Sequence, residues 1–387
     1  MIQSKSGKRG KGNTYLPKRE NTYLRAVTIG IILLVLLLPS GSAQEIQITD
    51  IYSDIDMADI TIQSKEQYSD LTINADLIFD GEVISSKQLF INEITPDCEI
   101  IKVASWDVTN TKDGAYCARM TLSENSKVLE TKYYNFSYGW EALPRIYIKD
   151  MIPDSSGVSV ILTPSTTQYG SNPVLTDIEY MLIDGDTAIY RTRDRRISVV
   201  QATPLSEDWN VLLENNHPYI SRIKLRISSP QDTVIARSEG FTAKDNARIT
   251  ELYEDETGAS VTVKGRSQVP FTGSLVFTVF KDGETIEEIK EQSPILMSGD
   301  DETTEVTWSS RLPTGIYDLS VTVGGNDKDI VDKWDTIIES KEDLYDHGQN
   351  ESESTEPTET PGFGIHLTII SILVIYLISG RILHRKG

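Results

Sequence analysis

Apolar and polar residues alternate along most of the chain between residues 44 and 340, in short runs broken by Gly, Pro, Asn and Asp. Ile223, Leu225 and Ile227, and later Leu319, Val321 and Val323, stand at every second position. That period of two is the mark of a half-buried strand, and its recurrence predicts an all-β protein. Two stretches depart from the pattern. Residues 26–38 are apolar apart from Thr28, and residues 364–380 are apolar apart from His366, Thr368, Ser371 and Ser379.

The alternating region repeats itself. Asp54, Asp154 and Asp255 occupy the same place in three similar segments about 100 residues apart. Asp80-Gly81, Asp184-Gly185 and Asp282-Gly283 each sit between apolar runs, and Asp-Gly suits a type I′ hairpin whose central residues need positive φ. Trp106, Trp209 and Trp308 are each followed about ten residues later by a tyrosine, Tyr116, Tyr219 and Tyr317, that opens an alternating strand. Three landmarks in one order at a period near 100 fit an immunoglobulin-type or fibronectin-type sandwich. The expected ectodomain is therefore three tandem Ig-like/FnIII-like β-sandwiches over 44–141, 142–245 and 246–340, joined by short linkers in a semi-rigid, end-to-end row. Each tyrosine is either a tyrosine corner, its hydroxyl bonding nearby backbone, or an aromatic placed by its β-propensity.

The flanks set the expected compartment. Residues 1–25 carry seven basic side chains and one acid, the apolar run 26–38 follows, and then comes Ser40-Gly41-Ser42-Ala43. Basic, apolar, then small is the order of a secretory signal peptide over 1–43, with an uncleaved signal anchor as the alternative. Toward the other end, 341–362 is an acidic Ser/Thr/Pro stalk, and 363–387 holds an apolar stretch followed by Arg381, Arg385 and Lys386. About 20 apolar residues suffice to cross a bilayer, and the basic tail would remain inside.

Pro361-Gly362-Phe363, with the acidic Thr/Pro-rich spacer before it, one apolar helix after it and a basic end, resembles the PGF-CTERM sorting signal of archaeal surface proteins. The resemblance covers only about the last 30 residues. It implies removal of the helix by an archaeosortase-type membrane enzyme and attachment of a lipid near the tripeptide. The isoleucine-rich helix and His366 depart from the usual pattern, and the alternative is an ordinary transmembrane anchor left unprocessed.

Charge sharpens the reading. The whole chain has net charge −21, which argues against a nucleic-acid partner, since that affinity comes largely from Lys and Arg meeting phosphates. Residues 44–362 hold 27 basic and 57 acidic residues, net −30, as suits a solvated outer surface.

Candidate chemistry is sparse. Cys98 and Cys117 fall in the first repeat, and outside the cell such a pair favours a disulfide of roughly 3 kcal/mol; the alternative is two free thiols. Asp50, Asp54, Asp56 and Asp59, and separately Asp300, Asp301 and Glu302, are hard oxygen donors of the kind Ca2+ takes, although neither group has EF-hand spacing. Apart from that Ca2+, no cofactor is expected. Asn135 and Asn350 open glycosylation sequons. His217 stands at a turn with no nucleophile and acid beside it in sequence, so no catalytic set is assigned. These features together imply a non-enzymatic protein of the archaeal cell surface. It would be anchored in the membrane and have surface-layer or other envelope proteins as partners. The second reading is an anchored binding module for a carbohydrate or a secreted enzyme.

Overall fold

The computed structural model describes residues 45–139, 146–165, 173–228 and 233–341, and their regular structure is entirely strand. The first block of strands is β1 (Ile46–Ser53), β2 (Met57–Ser64), β3 (Tyr68–Phe79), β4 (Glu82–Ile94), β5 (Glu99–Ser105), β6 (Gly114–Glu124) and β7 (Lys127–Tyr138). The second is β8 (Ile146–Pro153), β9 (Gly157–Pro164), β10 (Val174–Asp184), β11 (Thr187–Val199), β12 (Thr203–Asp208), β13 (Pro218–Ile227) and β14 (Thr233–Thr242). The third is β15 (Ala247–Glu254), β16 (Gly258–Gly265), β17 (Ser274–Lys281), β18 (Glu284–Gln292), β19 (Asp301–Thr307), β20 (Gly315–Gly324) and β21 (Ile330–Ser340).

In each block the first, second and fifth strands lie side by side, and the other four pair in the order fourth, third, sixth, seventh. All the pairings between named strands are antiparallel. Inward residues of the two layers make the core, so the layers form a β-sandwich. In the first block Leu71, Ile73, Ala75 and Leu77 of β3 and, beside them, Tyr116, Ala118, Met120 and Leu122 of β6 share one apolar cluster with Ile48, Ile60 and Ile62 of the other layer. Separate clusters fill the second and third blocks. Each fully buried Leu, Ile or Phe contributes about 1.5–3 kcal/mol, so alternation alone explains which face turns inward.

The repeated landmarks take up local structural work. Asp54, Asp154 and Asp255 close the first hairpin of each block: their Oδ1 atoms accept from the backbone N–H groups two and three residues on, at 2.6–3.1 Å. The buried indoles of Trp106, Trp209 and Trp308 donate to Ser53 Oγ, the Asp154 carbonyl and the Asp255 carbonyl, at 3.1, 2.9 and 3.0 Å. Tyr116 and Tyr317 donate to the carbonyls of Lys112 and Pro313, both at 2.7 Å, which is tyrosine-corner geometry. Tyr219 differs, because its hydroxyl accepts from the Glu214 amide at 3.1 Å.

One hairpin departs from expectation. Asp80-Gly81 and Asp282-Gly283 both have positive φ, as a type I′ turn requires. In the second block the turn is Gly185-Asp186, since Asp184 pairs with Thr187 and only Gly185 is left-handed. A glycine at the first central position is the type II′ solution. The one-residue shift leaves Asp184 at the strand end, 2.8 Å from His217 Nε2, and puts Asp186 at the tip.

The first two blocks are not joined end to end, contrary to the row read from the linkers. Edge strand β5 pairs with edge strand β11 through Lys102 and Thr187, and the Val103 amide donates to the Asp186 carbonyl at 2.8 Å. The result is one seven-stranded sheet, β1-β2-β5-β11-β10-β13-β14. The second and third blocks do meet through loop ends. Val269, between β16 and β17, packs into the core of the second block. Backbone bonds from Leu213 to Gln268 and from Gln268 to Ser155, at 3.0 and 2.8 Å, close that junction.

Candidate functional site

The densest polar chemistry among the described residues lies where the first block meets the second. Residues alternating with the core on β2 and β5, and on β10 and β13, face away from their own cores. Ile101, Val103, Met181 and Ile183 are nevertheless 7% exposed or less and belong to none of the three core clusters. Side chains that leave one core and are still dry must be covered by the other block, so the two outward faces pack on one another.

Within that apolar frame sits a balanced set of charges. Lys224 Nζ on β13 lies 2.5 Å from Asp59 Oδ1 on β2 and 3.0 Å from Glu179 Oε1 on β10. Arg222, 1% exposed, meets Asp54 Oδ2 at 2.7 Å, Ser238 Oγ at 2.8 Å and Asp59 Oδ2 at 3.4 Å. Glu179 Oε2 is shared by Arg191 at 3.0 Å and Arg193 at 2.5 Å, and Arg191 reaches across to Glu99. At the sheet junction Lys102 Nζ bonds Asp186 Oδ1 and Thr187 Oγ1, each at 2.8 Å. The Tyr52 ring lies 5.6 Å from both the Arg222 guanidinium and the Lys224 ammonium, and its hydroxyl donates to the Val234 carbonyl at 3.4 Å.

The electrostatics follow from this crowding. Burial alone would raise the Glu179 pKa, but Lys224 and Arg191 outweigh it and hold the carboxyl down at about 2. Burial works against the charged Arg222, and Asp54 and Asp59 more than offset it, so its pKa rises. Burial and the charge of Asp54 raise the Tyr52 hydroxyl far out of its usual range, keeping it neutral.

Most of the acids expected as calcium donors have other partners in the fold. No group of three or more such ligands converges among the described residues. Asp54 is divided between its turn and Arg222, and Asp59 between Lys224 and Arg222. Asp50 lies 3.9 Å from Arg226. Asp56 holds its proton more tightly than usual through partial burial and the charge of Asp54. Of the second acidic group, Asp300 Oδ2 caps the Met297 amide at 3.0 Å, while Asp301 and Glu302 border a polar hollow on the third block.

Cys98 and Cys117 stand in the structure as free thiols, the alternative to the expected disulfide. Cys98 sits in the turn before β5, where its Sγ accepts from Thr95 Oγ1 at 2.9 Å. Cys117 lies between the core residues Tyr116 and Ala118 on β6 and therefore points away from the other layer. Partial burial raises its thiol pKa, which disfavours the reactive thiolate. Asn135 is exposed on β7, open to modification. Asn350, Pro361, Gly362 and Phe363, the signal peptide of 1–43 and the apolar segment of 363–387 lie outside the described residues. No helix among the described residues is long and apolar enough to cross a membrane.

Sequence reasoning missed Arg222, Lys224, Glu179, Arg191 and Lys102. A signal was present: Arg222, Lys224 and Arg226 place three cations on one face of a single strand in an acidic chain.

The fold is thus that of an all-β protein of packed sandwiches. No family model matches the chain, and no curated protein matches it. Among solved structures it is similar to a tetra-tandem repeat from the extending region of a large adhesion protein, with 8% identity, 76% of this chain and 73% of that one covered, and a TM-score of 0.24. It is also similar to a DUF4785 family protein of Legionella pneumophila, with 10% identity, coverage of 76% and 84%, and a TM-score of 0.23. A third likeness is to Escherichia coli alpha-2-macroglobulin activated by porcine elastase, with 10% identity, coverage of 76% and 32%, and a TM-score of 0.20.

Proposed function

We propose that the chain is a non-enzymatic protein of the archaeal cell envelope. In this reading three tandem Ig-like/FnIII-like sandwiches are exported by the N-terminal segment. They are held at the membrane by the C-terminal one, as a retained helix or after lipid exchange, and serve a structural or adhesive role. The observation that carries it is the use of polar chemistry to lock blocks together. Arg222, Lys224, Asp59 and Glu179 join the first block to the second. The loops around Gln268 and Val269 join the second to the third. His217, the histidine considered first as a base, is bonded to Asp184 at a loop. A stiff, acidic, multi-sandwich unit suits transmission of load or spacing of partners better than turnover of a substrate. Surface-layer or other envelope proteins are the partners this reading expects.

Mass spectrometry of membrane fractions tests it. A mature chain beginning near residue 44 and ending near Pro361 with added lipid mass supports export and exchange. A chain retaining residues 365–387 leaves a plain anchor, and a soluble full-length chain in the cytosol overturns the reading. The second reading, an anchored binding module, is favoured by one feature, an exposed tryptophan beside unpaired cations on the third block.

A further inference from the structure

A cleft of about 440 Å3 opens on the third block, lined by Arg248, Ile249, Thr250, Lys264, Arg266 and Trp334. That volume lies within the range of small-molecule sites. The cleft forms where the opening of β15, the end of β16 and the middle of β21 come together, and the Ile249 amide donates to Asp332 Oδ2 at 2.8 Å, tying β15 to β21.

Two things set the cleft apart. The chain carries net charge −21, and its basic residues elsewhere are commonly spent on acids, as with Lys102, Arg119, Arg191, Arg222 and Lys224. Arg248, Lys264 and Arg266 are exposed, and none of them makes an ion pair among the described residues. Trp334 is 42% exposed, whereas Trp106, Trp209 and Trp308 are 7% or less. A neighbouring hollow, bordered by Glu251, Asp301 and Glu302 and sharing Thr250 and Lys264, bounds the cationic patch on one side with acids.

Unpaired cations alone would accept any polyanion. An indole standing open beside them adds a flat apolar surface, which favours a ligand that presents a ring face and an acidic group together. Arginine suits the acidic group because its planar fork matches a carboxylate or sulfate with paired N–H donors. We propose that this cleft binds an anionic sugar, a uronate or sulfated residue of a polysaccharide, with the ring on Trp334 and the acidic group held by Arg248, Lys264 and Arg266. The inference goes beyond the envelope reading, since it requires neither export nor anchoring.

The test titrates the full-length protein in detergent micelles with oligoglucuronate and with a heparin oligosaccharide, following heat and tryptophan emission. Neutral dextran and polyglutamate are the comparison arms. The expected result is saturable binding of at least one acidic sugar and none of dextran. Trp334→Ala, and separately the triple change Arg248→Gln, Lys264→Gln and Arg266→Gln, should each weaken binding about tenfold or more, as loss of Trp and Arg anchors typically does. Lys290→Gln, on β18, should leave it unchanged, and thermal melts of all variants should match the parent. Absence of acidic-sugar binding overturns the proposal. So does polyglutamate binding as tightly as the sugars, or full binding by a folded Trp334→Ala protein, because either result leaves only unspecific charge attraction.

Discussion

Replacing Lys224 by methionine tests whether the charges between the first two blocks hold them together. Methionine has nearly the same length and volume as lysine, so the apolar frame stays filled while the ammonium is lost. Lys224 is 5% exposed and lies between Asp59 and Glu179 at 2.5 and 3.0 Å. Without it, two carboxylates face each other in a dry interface. Removing one partner from a buried ion pair costs about 3–5 kcal/mol. Both acids keep other cations, Asp59 with Arg222 at 3.4 Å and Glu179 with Arg191 and Arg193, so the low end of that range is expected at pH 7. The measurement is urea unfolding by circular dichroism, in which Lys224→Met should lower the midpoint of the transition shared by the first two blocks or split it in two. The pH dependence gives a second readout. Glu179 is depressed from 4.5 to about 2 in the folded protein. Its contribution, roughly 3 kcal/mol at 1.36 kcal/mol per unit, is therefore present above pH 4.5 and lost as pH falls toward 2. Much of that contribution comes from Lys224, so the gap between parent and variant should narrow as pH falls from 4.5 to 2. Adding Asp59→Asn should recover part of the loss at pH 7, the signature of coupled neighbours. A cost below about 1 kcal/mol at pH 7, or a gap that stays constant down to pH 2, would refute the buried-network account.

Four further outcomes follow from the geometry. Tyr317→Phe removes the hydroxyl bonded to the Pro313 carbonyl at 2.7 Å and should destabilise the third block by about 1 kcal/mol in chemical denaturation. Tyr219→Phe strips the Glu214 amide of its acceptor and should cost about 1–3 kcal/mol in the second. Val269→Asp puts a charge into the core of the second block from a loop of the third, and should uncouple their unfolding, seen as two calorimetric transitions in place of one. A thiol reagent should modify Cys98 quickly in the folded protein and Cys117 only slowly, with both titrating after unfolding without reductant; a mass two hydrogens lighter would instead reveal a disulfide.

Much of the fold could be read from residues with local causes. Alternation placed Ile223, Leu225 and Ile227 inward because burying one face of a strand is a property of the strand itself. Asp54, Asp154 and Asp255 stood out in the sequence only as a repeated landmark, and the corners of Tyr116 and Tyr317 as one of two readings; each bonds backbone within five residues, which is why a local pattern could mark it. The second hairpin was misread by one residue because Asp184-Gly185-Asp186 contains both Asp-Gly and Gly-Asp, and the register, in which Asp184 pairs with Thr187, takes the latter. The charge network was hidden for a different reason. Alternation says that Lys224 leaves its own core and is silent about what it meets next. The cysteines are a similar case: their spacing suits a bridge, and spacing does not say that Cys117 lies on the outward face of β6.

The two ways in which the blocks meet explain how an acidic chain can be stiff without sticky faces. Before docking, the outward face of β13 shows Arg222, Lys224 and Arg226, and that of β2 shows Asp59, so neither is a bare apolar patch inviting aggregation. After docking, any slip of one face along the other would leave Asp59 or Glu179 buried without a cation, at a cost of several kcal/mol. The apolar residues Ile101, Val103, Met181 and Ile183 thus supply area, and the charges supply register. Pairing β5 with β11 also covers two strand edges that would otherwise be open templates. In the third block the corresponding edge strands β18 and β19 carry acids instead, Glu284, Glu287, Glu288 and Glu291 on one and Asp301, Glu302 and Glu305 on the other. Like charges on both edges oppose further strand addition, so the continuous sheet stops at the first two blocks.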